Sequence, residues 1–331
     1  MPQYNSSSHR EKRKARAILP EHKIGPLFDS VHYKDTKDPC PVFDGKLYHI
    51  FGSGGDVRYE EWKILHATAP RFDGPWTEEE SVVLNGLAGK KVAAPGVIYE
   101  EENSLFHMFV QTDFTTSDSS IEYLVSKDGK VFDRVETVLS PSELQKEIAL
   151  YDPHPAVFKN EKYIVYSATE PEIDFFVPRP DIYLAKSETD SWKGPWKRLG
   201  KIIDHEDIAD HHNRKDDPIY EWGIEGPQLV PLSNGQLLLN ATCFLPKGAF
   251  GTRQRVFFAL ADTIEGPYHT LGPVLSEELD TWESGENGHA AILRDKGKLH
   301  LFYQGRSKEH RSVTENNWRY GIATFNENIF L

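Results

Sequence analysis

The sequence predicts an all-β fold, a five-bladed β-propeller of four-stranded antiparallel blades. A similar phrase, with a proline in four of its five copies, precedes an apolar run five times along the chain. No long stretch keeps the 3.6-residue periodicity of an amphipathic helix. Only two cysteines are present, so no disulfide framework ties the repeats together. Similar β units without helices or disulfides indicate radial repetition around an axis.

The five copies of this phrase each lead into a predicted strand. Proline cannot donate to a β-ladder, so within sheets it is confined to strand starts, edges and bulges. Each copy therefore marks the start of an inner strand. The copies span residues 37–43, 93–98, 151–158, 224–230 and 287–293.

A second phrase, Gly-Pro followed by an aromatic residue, comes late in three of the repeats. Its copies lie in residues 72–76, 192–196 and 264–268. In the second repeat, residues 128–132 take its place. The turn chemistry of Gly and Pro predicts that this phrase links the third strand of a blade to the outer strand. The last apolar run, 320–325, is expected to close the ring in the final blade, with residues 24–28 as a candidate partner.

The length of the chain would by itself favour two domains. Its 331 residues exceed the roughly 250–300 residues at which a single hydrophobic core stops growing. The repeats overrule that default, because repeated units share one continuous architecture. We therefore predict a single propeller domain over residues 21–331, preceded by a polar, flexible leader over residues 1–20.

The formal net charge of −13 argues against nucleic acid or an anionic membrane as a partner. A small neutral ligand such as a sugar fits this charge. No apolar segment of a signal peptide follows the N-terminus, and no run reaches the ~18 apolar residues of a membrane span. We therefore expect a cytoplasmic protein, or a secreted one if a leader has been removed. The sequence makes no prediction of the oligomeric state.

The starts of the inner strands are expected to converge at one pole of the propeller axis. The residues at these equivalent positions are Asp38, Ala94, Asp152, Glu225 and residues 288–289. Three carboxylates out of five exceed what a structural repeat requires, because an unpaired buried charge is costly. Converging carboxylates push one another's pKa values apart, so that one stays protonated while another remains a base.

Two carboxyl groups with different pKa values are what glycoside hydrolysis requires. The longer side chain of Glu225 suits the general acid. Asp38 is then the base, and Asp152 orients the acid and keeps its pKa raised. From position alone, a structural carboxylate cluster or a metal site is an equally good interpretation.

The pattern Asp38-Pro39, Asp152-Pro153 and Glu225-Gly226-Pro227 resembles the five-bladed propeller glycosidases of glycoside hydrolase family 43. The related arabinofuranosidase and fructosidase families share that architecture, and the resemblance covers about residues 30–325. It implies an inverting glycosidase on arabinose- or xylose-containing sugars, with Asp38 as base, Asp152 as pKa modulator and Glu225 as acid. It also implies no required cofactor, but a calcium ion or water in the channel near His289.

The sequence also departs from these families. The first-blade motif Asn-Asp-Pro-Asn of the fructosidases is absent, since Lys37 and Cys40 flank the Asp-Pro pair here. This departure disfavours a retaining mechanism with Asp38 as nucleophile. Family members usually act outside the cell and carry leaders.

Three further residues are candidates for substrate contact. His154 directly follows Asp152-Pro153 and is expected to face the pocket, with a hydrogen bond to local backbone as the alternative. Phe114 and Trp222 lie after strands or in loops at the pole, where aromatic rings stack on sugar faces.

Two polar residues at the ends of second strands complete the predicted site. Gln111 and Arg306 are expected to hydrogen-bond sugar hydroxyls, and Arg306 is also a candidate charge partner of Glu225. Residues 204–217 carry many metal-type ligands, but such a charge run without a scaffold is more typical of a solvated loop over the rim than of a metal site.

Other functions on the same fold stay open. A glycoside phosphorylase would need a cationic phosphate cradle, for which Arg253 and Arg255 are the only close pair in the region. A non-catalytic carbohydrate-binding propeller would be expected to lose at least one of the three carboxylates. Fold alone does not decide among these functions.

Overall fold

Five β-sheets surround one axis, and the innermost strand of each sheet contacts the innermost strands of both neighbouring sheets. The computed structural model describes residues 18–55, 62–113, 119–169, 180–205, 207, 223–245, 253–275, 281–307 and 317–330. The predicted all-β, five-bladed propeller is confirmed. Within the described residues, no helix is long and apolar enough to cross a membrane.

Each blade is a meander whose strands run from the axis outward. The described chain starts with β1 (His22–Ile24), which belongs to the last blade. The first blade comprises β2 (Asp35–Phe43), β3 (Tyr48–Gly55), β4 (Lys63–Ala69) and β5 (Thr77–Glu78). The second comprises β6 (Val83–Asn85), β7 (Val92–Glu100), β8 (Leu105–Thr112), β9 (Ser120–Ser126) and β10 (Val131–Leu139).

The other three blades follow the same order from the axis. The third comprises β11 (Ala149–Phe158), β12 (Glu161–Thr169), β13 (Pro180–Ser187) and β14 (Trp196–Ile203). The fourth comprises β15 (Ile224–Pro231), β16 (Leu237–Leu245), β17 (Arg253–Ala261) and β18 (His269–Pro273). The fifth comprises β19 (Glu286–Asp295), β20 (Lys298–Arg306), β21 (Arg319–Asn326) and β1. Two short 3₁₀ turns cover Glu143–Gln145 and Glu327–Phe330.

The blades are four-stranded and antiparallel as predicted, with one addition. In the second blade, β6 pairs with β10 in parallel, so that Val83 lies opposite Val131. This short fifth strand extends the outer edge of the sheet and leaves the inner strands unchanged.

The ring closes between the two ends of the chain. The N-terminal β1 pairs antiparallel with β21, and Ile24 lies opposite Ile322. The closing strand is the predicted one, while its partner begins two residues before the expected segment. The Trp282 indole covers this seam, because a Cβ added to Gly25 or Gly321 would stand 2.6–2.7 Å from its ring carbons.

The Gly-Pro-aromatic turns link the third and outer strands, as predicted. Their aromatic rings pack on the preceding blade. Phe72 of the first blade stacks on His300 of the fifth with 3.8 Å between ring centroids, and Trp192 of the third blade contacts His107 of the second. These rings belong to apolar layers that fill the space between neighbouring blades.

Every inner strand has one bulge near its start, where the register with the second strand slips. The bulged residue has a left-handed backbone, with φ between 29° and 64°. These residues are Asp38, Ala94, Asp152, Gly226 and His289. Four of the five are not glycine, and such a conformation costs about 1–3 kcal/mol per residue and clusters at functional sites.

The bulges correct the predicted set of equivalent positions. Gly226 and not Glu225 holds the left-handed position in the fourth blade, because glycine adopts positive φ without strain. Glu225 is therefore the residue before the bulge, one step farther toward the pole. In the fifth blade the bulged residue is His289, and Ala290 takes the place that proline occupies in the other four blades.

Candidate active site

A pocket lies on the axis where the five bulges meet. Residues of all five inner strands line it, among them Asp38, Ala94, Asp152, Gly226 and His289. Near the bulges, side chains from different blades come within contact distance. The predicted convergence of Asp38, Asp152 and Glu225 is present in the structure.

Side chains of the preceding blade hold four of the bulges in place. In each case a second-strand residue accepts a hydrogen bond from the backbone N–H of the bulged residue, which satisfies a donor that the sheet leaves free. The acceptors are Gln304 for Asp38 at 2.9 Å, Ser53 for Ala94 at 2.7 Å, Gln111 for Asp152 at 2.6 Å and Thr242 for His289 at 2.7 Å.

The bulge of the fourth blade is held differently. The N–H of Gly226 donates to Oδ2 of Asp152 at 3.1 Å. Ser167 occupies the second-strand position that supplies the acceptor in the other blades, yet its Oγ is buried without a hydrogen-bond partner. The Asp152 carboxylate thus accepts the Gly226 N–H in place of Ser167. This hydrogen bond holds the carboxylate against the backbone next to Glu225.

His289 bridges the other two carboxylates. Its Nε2 lies 2.5 Å from Oε1 of Glu225, and its Nδ1 lies 3.1 Å from Oδ1 of Asp38. Ligand-type atoms of Asp152, Glu225 and His289 all lie within 4.8 Å of one another. One imidazole therefore stands between the predicted acid and the predicted base.

The charges of this cluster set its protonation. Burial lowers the pKa of His289, but the nearby Glu225, Asp38 and Asp152 carboxylates outweigh it and raise the pKa to about 9. Burial raises the pKa of Asp152 to about 7; His289 opposes this rise, and Glu225 and Asp38 add to it. At neutral pH His289 is therefore an imidazolium in contact with the carboxyl groups of Asp38 and Glu225.

These residues do not fit a calcium ion bound by His289. Calcium takes six to eight oxygen ligands. Both ring nitrogens of His289 already contact carboxylates. The imidazolium thus carries the positive charge that a calcium ion would otherwise bring to these carboxylates. A calcium ion near His289 stays a prediction, and no chemical step is assigned to it.

His154 lines the pocket, as predicted. Its Nδ1 lies 3.0 Å from the Pro155 carbonyl oxygen, and its Nε2 lies 3.7 Å from Sγ of Cys40. The hydrogen bond to local backbone was the alternative expectation. Direct contact of His154 with a sugar stays a prediction.

The two polar second-strand residues play different parts from those expected. Gln111 accepts the Asp152 N–H and is not among the residues that line the pocket. Arg306 pairs with Glu286, directly opposite on β19, and its guanidinium lies 4.5 Å from the centre of the Trp318 ring. The partner that the structure gives Arg306 is thus Glu286, and its pairing with Glu225 stays a prediction. Phe114, Trp222 and most of the run 204–217 lie outside the described residues.

The residues directly before the bulges were not predicted as a group. They are Lys37, Ala93, Tyr151, Glu225 and Gly288, each the last paired residue before the register slips. The Lys37 ammonium lies 5.5 Å from the Trp62 ring centre, and burial, together with the Glu225 and Asp152 charges, raises the pKa of Tyr151. The sequence contains a signal for four of these five residues, because each of the four lies two positions before one of the repeated prolines.

Gln254 is a further residue that sequence reasoning missed. Its amide oxygen occupies the place where a Cβ on Gly288 would stand, and it accepts a hydrogen bond from Gln304 at 3.0 Å. Gln304 in turn holds the Asp38 N–H. A chain of two amides therefore supports Asp38 from the fourth and fifth blades.

Comparisons with known proteins show the fold. No protein-family model matches the chain, and the comparison with curated proteins finds no match. The α-L-arabinofuranosidase PaAbf62A of Podospora anserina, solved in complex with cellotriose, has a TM-score of 0.67 at 17% identity and covers 94% of this chain and 97% of its own. The GH62 α-L-arabinofuranosidase catalytic domain of Coprinopsis cinerea has a TM-score of 0.68 at 14% identity, with 93% and 97% covered.

A third similar structure is the native arabinanase Arb43A of Bacillus subtilis. Its TM-score is 0.63 at 15% identity, covering 90% of this chain and 98% of its own. At such identities the likeness establishes a shared architecture over nearly the whole length. The chemistry must be argued from the site.

Proposed function

We propose that the protein is a glycoside hydrolase that cleaves arabinosides, xylosides or related short oligosaccharides with inversion of configuration. The observation that carries this proposal is the bridge Asp38–His289–Glu225, with Asp152 held beside Glu225. Two carboxyl groups facing one pocket are the equipment for acid–base cleavage of a glycosidic bond. The fold shared with arabinofuranosidases and an arabinanase supports the choice of pentose sugars.

The spacing of the two carboxylates favours inversion. Inverting enzymes hold their carboxyl groups about 6.5–9.5 Å apart to admit a water molecule, against roughly 5–5.5 Å in retaining enzymes. Here an imidazole ring stands between Asp38 and Glu225 and keeps them a full ring width apart.

The proton balance of the reaction uses all four residues. Glu225 gives its proton to the leaving oxygen as the glycosidic bond breaks. Water attacks the anomeric carbon from the opposite face, and Asp38 takes the proton that this water releases. Asp152, which its hydrogen bond from the Gly226 N–H holds beside the acid, orients Glu225.

Each turnover ends with Asp38 protonated and Glu225 ionised, so the site must be reset. His289 contacts both groups through its two ring nitrogens. Because both ring nitrogens of the imidazolium carry protons, Nε2 can give its proton to Glu225 and take one back from water, while Asp38 releases its proton to water.

Release of aryl leaving groups from a panel of arabinosides and xylosides tests the proposal. The wild type is compared with Glu225→Gln. The variant should lose about 10²–10⁴-fold in rate on poor leaving groups and far less on good ones, because good leaving groups need no proton. Equal losses on both kinds of leaving group would count against Glu225 as acid, and an inert wild type would count against a pentosidase.

The described residues give less support to a phosphorylase. Arg255 is buried, and its guanidinium donates to the backbone oxygen of Gln254 at 2.6 Å. It faces the interior of the fourth blade and not an open cradle. A rate that depends on phosphate would still favour this alternative.

A further inference from the structure

The peptide group that joins Lys37 to Asp38 is held at both of its ends by the fifth blade. Its N–H donates to Oε1 of Gln304 at 2.9 Å. Its carbonyl oxygen accepts a hydrogen bond from the hydroxyl of Tyr320 at 2.8 Å. Gln304 and Tyr320 lie directly opposite each other on β20 and β21. Two neighbouring side chains of one blade therefore hold the peptide plane that precedes the proposed base.

The position of Tyr320 is aliphatic in the other four blades. In every blade the residue before the bulge lies opposite one residue of the second strand, which in turn lies opposite one residue of the third strand. These third-strand residues are Ile64, Ile121, Ile182, Val256 and Tyr320. Isoleucine or valine suffices to pack this layer, so the architecture does not require a hydroxyl here. The one polar member of the set belongs to the blade next to Asp38.

A glycine in the first blade leaves room for the phenol beside the carbonyl. Gly52 is the single β3 residue opposite the bulge. A Cβ at Gly52 would stand 2.1 Å from the Tyr320 hydroxyl oxygen and 2.8 Å from the Lys37 carbonyl oxygen. The residues that oppose the bulges of the second, third and fourth blades all carry side chains, and they are Val110, Tyr166 and Ala241. The contact thus depends on a glycine in one blade and a tyrosine in the next.

The hydroxyl of Tyr320 keeps its proton in this setting. The side chain is fully buried, and burial, with the Asp38 charge as the next cause, raises the pKa of Tyr320 well above its ordinary value. The phenol is therefore a hydrogen-bond donor and not an acid or base of the reaction. It is also not among the residues that line the pocket, so any effect on the reaction passes through Asp38.

Holding this peptide plane fixes the direction in which the Asp38 side chain leaves the backbone. Asp38 has a φ of 54°, a conformation that a residue other than glycine keeps only when its surroundings hold it there. Its carboxylate lies 3.1 Å from Nδ1 of His289. A rotation of the plane would move the carboxylate away from this contact. A displacement of about 1 Å at a reacting group can cost about 10²-fold in rate.

We propose that Tyr320 is a positioning residue that aims the Asp38 carboxylate at His289 and at the water of the reaction. The second half of this inference rests on the proposed glycosidase function, whereas the contact with His289 does not. Tyr320 acts through the Lys37 carbonyl and touches no substrate.

Tyr320→Phe tests the proposal, because it removes the hydroxyl and adds no atom. The matched control is Tyr268→Phe, since the hydroxyl of the buried Tyr268 donates to the backbone carbonyl of Ile264 at 2.9 Å in the fourth blade. Each variant loses one such hydrogen bond, so both should lower the midpoint of urea unfolding. Only Tyr320→Phe should lower kcat for an aryl pentoside, by about 10–100-fold with KM within about twofold. The loss should be equal for good and poor leaving groups, unlike that of Glu225→Gln.

NMR titration of the His289 ring, assigned with His289→Gln, gives a second readout that needs no activity. The Asp38 carboxylate is one of the charges that raise the pKa of His289 to about 9. Tyr320→Phe should therefore lower this pKa, in the same direction as Asp38→Asn and by less. Adding Tyr320→Phe to Asp38→Asn should lower it no further, because the two changes act on one contact. Tyr268→Phe should leave it unchanged.

An unchanged pKa of His289 in Tyr320→Phe, or a further fall in the double variant, would overturn the positioning role. So would an active wild type whose kcat Tyr320→Phe leaves unaltered. A wild type that is inert on every glycoside would count against the glycosidase alone, and the NMR titration would then decide the role of Tyr320. If Tyr320→Phe does not fold, Gly52→Ala carries the test, because its methyl group would take the place of the hydroxyl and should lower the pKa of His289 likewise.

Discussion

The two poles of the propeller bury histidines to the same depth and give them opposite charge states. At the pocket, His289 is 6% exposed, and at the far pole His49, His107 and His300 are each 4% exposed. The three far histidines occupy the same position, near the start of the second strand, in three different blades. Burial lowers the pKa of each far histidine, whereas that of His289 is raised to about 9.

The difference lies in the number and closeness of the carboxylates. His289 has Glu225 at 2.5 Å and Asp38 at 3.1 Å, with Asp152 close by. His49 has a single carboxylate, Asp44, at 3.2 Å, and its ring is stacked on Phe51. Depth of burial alone therefore does not set the charge of a histidine. The same scaffold places a charged histidine at one pole and neutral, packed histidines at the other.

Removing the charged histidine should have the largest effect. In His289→Gln, the buried Asp152 and the partly buried Asp38 and Glu225 lose their counter-charge, and the bridge between acid and base is broken. We expect kcat for an aryl pentoside to fall about 10²–10⁴-fold. We expect the stability to fall by about 3–5 kcal/mol, as when one partner of a buried ion pair is removed.

The matched control is His300→Gln at the far pole. His300 contacts Thr324 and Phe72 and no residue of the pocket, so its loss should lower the midpoint of urea unfolding while leaving kcat within twofold. A His300 variant that lost activity as strongly as the His289 variant would remove the distinction between the poles.

The poles should also respond to pH with opposite sign. Burial, with the nearby His49 as a further cause, lowers the pKa of His66 to about 3. On acidification the unfolded chain therefore binds a proton at His66 at a higher pH than the folded chain does. The contribution of His66 to stability is lost as the pH falls from about 6.5 toward 3, by up to ~4 kcal/mol. The stabilising contribution of His289, whose pKa is raised, is present below about 6.5 and is lost as the pH rises through about 9.

Urea unfolding between pH 3 and 10 gives the free energy of unfolding as a function of pH, with one slope on the acid side and one on the alkaline side. His66→Gln keeps a polar partner for Nδ1 of His49, which lies 2.9 Å from the His66 ring, but no longer titrates. The acid slope should become shallower in this variant while the alkaline slope is unchanged. If the acid slope were the same as in the wild type, His66 would not be a buried neutral group.

Much of this arrangement could be predicted from the sequence, because proline marks the inner strands. The prolines 39, 95, 153 and 227 stand directly after the bulged residue in four blades. Aligning the repeats on them would have placed Gly226 at the bulge and Glu225 before it. The pairing of Arg306 with Glu286 was also available, because these residues lie directly opposite in the β19–β20 ladder.

The bridge at His289 and the meeting of Cys40 with His154 could not be predicted in the same way. Both join side chains of different blades, and their distances depend on how closely the inner strands approach across the axis. That approach is set by single glycines such as Gly96, whose effect on spacing appears only once the ring is built. The repeat pattern gives equivalent positions but no distances between them.

The smallest expected effect concerns two equivalent positions at the pocket pole. Gln304 and Ser167 occupy the same place on the second strands of the fifth and third blades. Gln304 accepts the Asp38 N–H and donates to Gln254, whereas the Ser167 hydroxyl has no hydrogen-bond partner. Gln304→Ala should cost about 1–3 kcal/mol, because it leaves a buried N–H unpaired. Ser167→Ala should stay within about 0.5 kcal/mol.

Denaturant unfolding of Gln304→Ala and Ser167→Ala measures these two losses of stability, and activity adds a second readout. Because Gln304 acts on Asp38 through the backbone, its loss should lower kcat more than it raises KM, and Gln304→Glu, which keeps the acceptor, should recover part of the loss. Equal costs for both alanine variants would mean that the bulges are held by the strands themselves. Asp152 would then have replaced Ser167 as the acceptor for Gly226 without any gain in stability, and its place beside Glu225 would reflect catalysis alone.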